Sequence, residues 1–209
     1  MSPLPVQMEN HWAPEPGADA TRPRLMWFMS FADHPQVAEL AALGQARLAG
    51  LAGLDLVPRK WLHMTTLIAG FADEITADQV DIMAAQARRA LACVPPVMIT
   101  LGRILYHPRA VMLAAQPAKV LEPVLWAVQQ ATRVATGRDG KLHYEPWTPH
   151  ITLAYGNSAR PASPVIETLG RELPSRRVAI SSISLVSQAP EQLWTWRLLT
   201  KVPFGTELA

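Results

Sequence analysis

The sequence is short of most features that would assign it a class on sight. It has one cysteine, Cys93, in 209 residues, so no intrachain disulfide can staple it, and a reducing cytoplasm is the expected compartment. Net charge is slight: 19 Lys and Arg stand against 17 Asp and Glu, leaving +2. That excess does not announce a long polyanion such as DNA, while a small anion or a short nucleic-acid end fits it. No run of about 18 uncharged apolar residues is present to span a bilayer. No basic start followed by an apolar stretch marks a secretory signal, so a membrane is not an expected partner. Walker A, Gly-x-Gly-x-x-Gly and Gly-x-Ser-x-Gly patterns are all missing. His11, His34 and His143 have no Asp, Glu or Cys at ligand spacing, so neither a metal nor a cofactor is expected. What the chain does have is apolar substance: 49% of its residues are hydrophobic, enough to bury a substantial core. A monomer is the expectation.

Residues 1–22, with Pro3, Pro5, Pro14 and Pro16, show little periodicity and are expected to form a flexible Pro-rich leader. Residues 23–209 then form one domain. Apolar runs predict strands over 25–31, 60–69, 97–105, 109–116, 150–155, 177–187 and 193–202. Helical spacing predicts helices from Pro35 toward Gly53, from the Thr76–Gln79 capping box to Leu91, from Leu121 to Thr136, and over 165–173. Tyr106-His107-Pro108 joins two of the strands as a hairpin. This order is not the regular alternation of a doubly wound parallel sheet. It fits an α+β fold with antiparallel sheets, and it reads as two similar halves, each with a helix ahead of a central strand.

One tripeptide occurs in both halves. His63-Met64-Thr65 and His150-Ile151-Thr152 each sit in an apolar strand. Side chains alternate along a strand, so each motif presents an imidazole and a hydroxyl on one face and an apolar residue on the other. Six histidines, each with a ~6% chance of Thr two residues on, give roughly 0.4 accidental copies, so two in matching context carry weight. If the two strands lie together, a neutral imidazole can take a proton from an attacking hydroxyl while a protonated one supplies the leaving oxygen. The threonines can donate to the non-bridging oxygens of a phosphodiester. The alternative is a pair of strand histidines satisfied by backbone carbonyls.

Trp61-Leu62-His63-Met64-Thr65-Thr66-Leu67 and Pro149-His150-Ile151-Thr152-Leu153-Ala154 resemble the two signature motifs of the two-histidine (2H) phosphoesterase superfamily, the LigT-like or 2′-5′ RNA ligase group. The resemblance extends over about residues 24–204. It implies a bilobal α+β fold, with two antiparallel sheets related by a pseudo-twofold axis, flanking helices and a central cleft. It also implies His63 and His150 as the acid–base pair, Thr65 and Thr152 as phosphate ligands, and no metal. The implied reaction is hydrolysis of 2′,3′-cyclic phosphates, at RNA ends or on nucleotides, to 2′-phosphates. Three alternatives stand beside it: 2′-5′ ligation of RNA, action on another small cyclic phosphate or metabolite, and nucleotide or RNA binding without catalysis. Thr66 stands where the family usually has an apolar residue, and is expected to face away from the cleft.

Around the motifs, Trp61 and Trp147 are candidates to stack on a base. Tyr106 and His107, at the hairpin tip, are candidates to overhang the cleft. Arg109, with Arg103 and Lys141, is a candidate phosphate or ribose contact. Cys93, at a helix end, reads as core.

Overall fold

The computed structural model describes residues 4–13, 22–142, 145–189 and 195–205. Along these the elements run β1 (Gln7–Met8), β2 (Arg24–Ser30), α1 (Pro35–Leu48), β3 (Leu54–Leu56), β4 (His63–Phe71), α2 (Ala77–Leu91), β5 (Val97–His107), β6 (Ala110–Ala114), α3 (Glu122–Thr136), β7 (His150–Gly156), β8 (Arg160–Pro161), α4 (Ser163–Leu169), β9 (Glu172–Ile180), β10 (Ser182–Gln188) and β11 (Arg197–Pro203). The strands form a four-stranded sheet, β11-β10-β2-β4, a five-stranded sheet, β3-β7-β6-β5-β9, and a two-stranded ribbon, β1-β8. Strand pairing among the described residues is antiparallel throughout. This is the expected α+β architecture.

Local sequence explains most of the element ends. Thr76 and Gln79 close a full capping box at the start of α2: the Gln79 N–H donates to Thr76 Oγ1 at 3.2 Å, and the Thr76 N–H to Gln79 Oε1 at 2.9 Å. Gly137, at φ 74°, and Gly170, at φ 76°, turn the chain out of α3 and α4 in a conformation that side chains resist. β2 reads as an unbroken apolar run because both its faces are covered. Leu25, Trp27 and Met29 enter the main core, whereas Met26 and Phe28 form a second cluster with Val186.

The lobes are interleaved rather than sequential. α1 follows β2 in the chain yet packs on β7 and β9 of the other sheet and on α4, while α3 follows β6 and packs on α2 and on β4. One hydrogen bond marks the second crossover: Trp27 Nε1–H donates to Thr132 Oγ1 at 3.2 Å, linking β2 to α3 in the core. The run expected as one strand over 177–187 is two strands, parted at Ser181. β9 pairs with β5 in one sheet, and β10 pairs with β2 in the other. Alternation of apolar residues carries no mark of the point where a strand changes sheet. The predicted helix over 165–173 stops at Leu169, because Gly170 ends it and β9 begins at Glu172.

Two other expectations are corrected. The leader is not loose over 4–13: β1 pairs with β8, Met8 is 2% exposed, and the His11 N–H donates to the Gly156 carbonyl at 2.8 Å. Met8, one apolar residue among prolines, gave no periodic signal, yet it covers an edge of the core. Residues 1–3 and 14–21 of that leader, His143, and the first two residues of the strand expected from 193 lie outside the described residues. Cys93 is exposed rather than core, because α2 ends at Leu91 before the chain reaches it. No helix among the described residues is long and apolar enough to cross a membrane.

Candidate active site

Both His-x-Thr motifs open their strands, and those strands, β4 and β7, pack against each other. Cross-strand register fixes which side chains share their face, since directly paired residues point the same way. In the four-stranded sheet, His63 pairs with Ser30, and Thr65 with Phe28. In the five-stranded sheet, His150 pairs with Ala114, Thr152 with Met112 and Tyr155 with Ala110; Met112 in turn pairs with Leu105, and Ala110 with His107. The motif face of the second sheet therefore carries His150, Thr152, Tyr155 and His107 together.

A matching irregularity follows each motif threonine. The ladder of β4 passes from Thr65 to Leu67, skipping Thr66, and that of β7 passes from Thr152 to Ala154, skipping Leu153. Such bulges sharpen the twist and re-aim the neighbouring side chains. Both skipped residues are buried, and the side chain of Gln45, on α1, donates to the Leu153 carbonyl at 2.9 Å and to the Val57 carbonyl at 2.7 Å. Thr66 is buried, and among the described residues its Oγ1 has no hydrogen-bond partner.

The imidazoles are held in the same way. His63 Nδ1 lies 2.8 Å from the Trp61 carbonyl oxygen, and His150 Nδ1 lies 2.6 Å from that of Thr148, each two residues back. A carbonyl oxygen only accepts, so Nδ1 carries a hydrogen in both rings, and Nε2 is the nitrogen that gains or loses the titrating proton. Their surroundings differ. His63 stacks on Phe28 at 4.2 Å between ring centroids, with Trp196 edge-on at 4.8 Å. Burial pushes His150 below the ordinary imidazole value, against the pull of the Thr148 carbonyl, and charge on His107 lowers it further. Thr152 and Tyr155 share a hydrogen bond between their hydroxyls, while burial pushes the Tyr155 phenol up.

The remaining sequence candidates are dispersed. Trp61 is half-buried, edge-on to Trp196 at 4.7 Å, with the Lys60 ammonium 4.9 Å from its ring centre. Trp147 packs against the core, and its indole N–H donates to the Thr65 carbonyl at 3.3 Å, tying the approach to β7 onto β4. His107 lies on the motif face and accepts the Arg109 N–H at Nδ1, 3.2 Å away. Tyr106 points to the opposite face, where its hydroxyl donates to the Gly170 carbonyl and burial pushes its pKa up to about 12. Arg109 pairs with Glu9 of the N-terminal segment at 3.4 Å. Lys141 bridges to Ile68 through its backbone.

Sequence reasoning missed Phe28, Trp196 and Tyr155. Phe28, on β2, and Trp196, just ahead of β11, reach His63 from positions remote in sequence, and Tyr155 reaches Thr152 because of the bulge at Leu153; no local pattern signals either. Tyr155 is also where the N-terminal segment docks. His11 stacks on it at 4.1 Å, and Trp12 Nε1–H donates at 2.8 Å to Asp55, the residue paired with Tyr155 on β3. Among the described residues, no three His, Cys, Asp or Glu side chains gather where they could hold a metal ion.

Comparison with known proteins agrees with this fold. A family model described as the 2′-5′ RNA ligase superfamily matches residues 33–191. Crystal structures share the fold at low identity. The Thermus thermophilus protein TT0787 is 18% identical, with a TM-score of 0.67 over 88% of this chain and 99% of its own. Escherichia coli LigT, solved with 3′-AMP, is 17% identical, with a TM-score of 0.66 over the same shares. The MHV ns2 PDE domain is 15% identical, with a TM-score of 0.59 over 80% of this chain and 100% of its own. No curated protein matches the sequence.

Proposed function

Because the chain belongs to the 2′-5′ RNA ligase superfamily, the LigT-like 2H phosphoesterases, we propose that it is a phosphodiesterase that opens 2′,3′-cyclic phosphates, at RNA ends or on nucleotides, to 2′-phosphates. The observation that carries this reading is the matched pair of Nδ1–carbonyl bonds, which fixes the same ring orientation for the imidazole on each motif strand. His150, whose pKa is lowered, is neutral near pH 7 and serves as the base. It takes the proton of a water that attacks phosphorus. His63, on the other motif strand and stacked on Phe28, serves as the acid. It gives its proton to the 3′ oxygen as the P–O3′ bond breaks, leaving the phosphate on O2′. Thr65 and Thr152 donate to the non-bridging oxygens, and Tyr155 orients Thr152. The scheme calls on side chains alone.

The test is turnover of a 2′,3′-cyclic nucleotide and of a cyclic-ended oligonucleotide, scored for 2′-phosphate. His63→Ala and His150→Ala are each expected to lose on the order of 10²–10⁴-fold in kcat while remaining folded. Full activity in either variant would falsify the mechanism. A joined product from cyclic-ended and 5′-hydroxyl RNA fragments, without hydrolysis, would replace it with ligation.

A further inference from the structure

On the five-stranded sheet, the motif face carries a basic side chain in line with His150. His150 pairs with Ala114. The hairpin register, Leu113 with Ile104 and Met112 with Leu105, carried one residue further places Ala114 across from Arg103. His150, Ala114 and Arg103 thus form one cross-strand row, and all three point the same way. Two strand spacings separate the outer pair, about 9–10 Å between Cα atoms. Ala114, the residue between them in the row, is small and buried. Arg103 is exposed, and among the described residues it has no hydrogen-bond or ion-pair partner. Glu172 stands opposite it on β9 but forms no ion pair with it. An uncommitted guanidinium offers two parallel donors matched to phosphate oxygens.

Arg103, on β5, lies two strands from β7, on the side away from β4. That is off-centre for a phosphorus gripped between the two motif strands, and it suits a second anion. On a nucleotide ending in a 2′,3′-cyclic phosphate, the next phosphate along the chain is the one on its own O5′. We infer that Arg103 holds this 5′-phosphoryl group, so that the cleft selects cyclic-phosphate ends bearing a second phosphate over a bare nucleoside cyclic phosphate. The inference rests on the reading above and names its substrate class. Two sources supply the same chemistry: a free 5′-phosphate and the internucleotide phosphate of an RNA end.

Three substrates differ only at this point: adenosine 2′,3′-cyclic phosphate, its 5′-phosphorylated form, and the dinucleotide ApA ending in a 2′,3′-cyclic phosphate. At least one of the 5′-substituted pair is expected to have kcat/KM about tenfold above the first. Arg103→Gln is expected to lose that advantage while keeping its rate on the first, with Arg103→Lys in between. Preference for the dinucleotide alone identifies the internucleotide phosphate as the ligand; preference for both identifies any 5′-phosphoryl group. Equal loss on all three substrates in Arg103→Gln, or no loss on any, overturns the inference. Failure of the phosphodiesterase reading shows separately, as no turnover of any substrate by the unaltered chain. Calorimetry with adenosine 2′,5′-bisphosphate and adenosine 2′-phosphate then still decides the subsite. Arg103→Gln must weaken binding of the bisphosphate and not of the monophosphate, and any other result rejects it.

Discussion

At the scale of single residues, the two imidazoles share a backbone tether but not an environment, and that contrast has consequences for pH. Base catalysis by His150 needs its neutral form, and its pKa lies below the usual imidazole value of 6.5. The acid limb of kcat/KM is therefore expected below pH 6.5. His107 contributes to the lowering through its charge, so His107→Gln is expected to move that limb toward higher pH, as a pH–rate profile of the variant will show. A limb unmoved by the substitution would remove His107 from the account. Thr66 offers a stability test. Its hydroxyl is buried without a partner, an arrangement that costs about 1–3 kcal/mol. Thr66→Val keeps the shape and removes the hydroxyl, so the midpoint of urea unfolding is expected to rise. The four motif residues could be read from sequence because a strand's alternation is local and the tripeptide recurs. Phe28, Trp196 and Tyr155 could not, because their places depend on which strand pairs with which and on where a bulge falls.

At the scale of elements, helices and strands were legible where a chemical marker closes them. The capping box at Thr76 and the glycine after α3 are such markers. The split of 172–188 into β9 and β10 had none, since apolar residues flank the junction on both sides and only Ser181 separates the strands. Two substitutions distinguish an element that merely stabilises from one that shapes the site. Thr76→Ala removes the α2 cap on the protein's outside and is expected to cost about 1 kcal/mol in denaturant unfolding, with kcat unchanged. Gln45→Leu removes the α1 donor to the carbonyls of Val57 and Leu153. That loosens the bulge beside Thr152, so it is expected to lower both stability and kcat. If kcat holds in Gln45→Leu, α1 is only a cover for the sheet.

At the scale of the whole molecule, the N-terminal segment belongs to the fold. Met8 fills an edge of the core, Glu9 pairs with Arg109, and His11 and Trp12 lie on Tyr155. Deleting residues 1–13 uncovers Met8's site, worth about 1.5–3 kcal/mol for one large apolar side chain. It is expected to lower Tm and, by freeing Tyr155, to lower kcat as well; an unchanged kcat would detach the segment from the cleft. Turnover is expected to persist in EDTA, since the proposed chemistry uses imidazole and hydroxyl groups, and a chelator-sensitive rate would refute that. Sequence alone determined the α+β class, most element positions and the two His-x-Thr faces, because those follow from spacings of two and three to four residues along one chain. The interleaving of the lobes, the row that sets Arg103 two strands from His150, and the docking of the N-terminal segment were decided only by tertiary structure. Each depends on residues far apart in sequence, brought together by strand register and by the burial of surfaces that no local pattern assigns to one another.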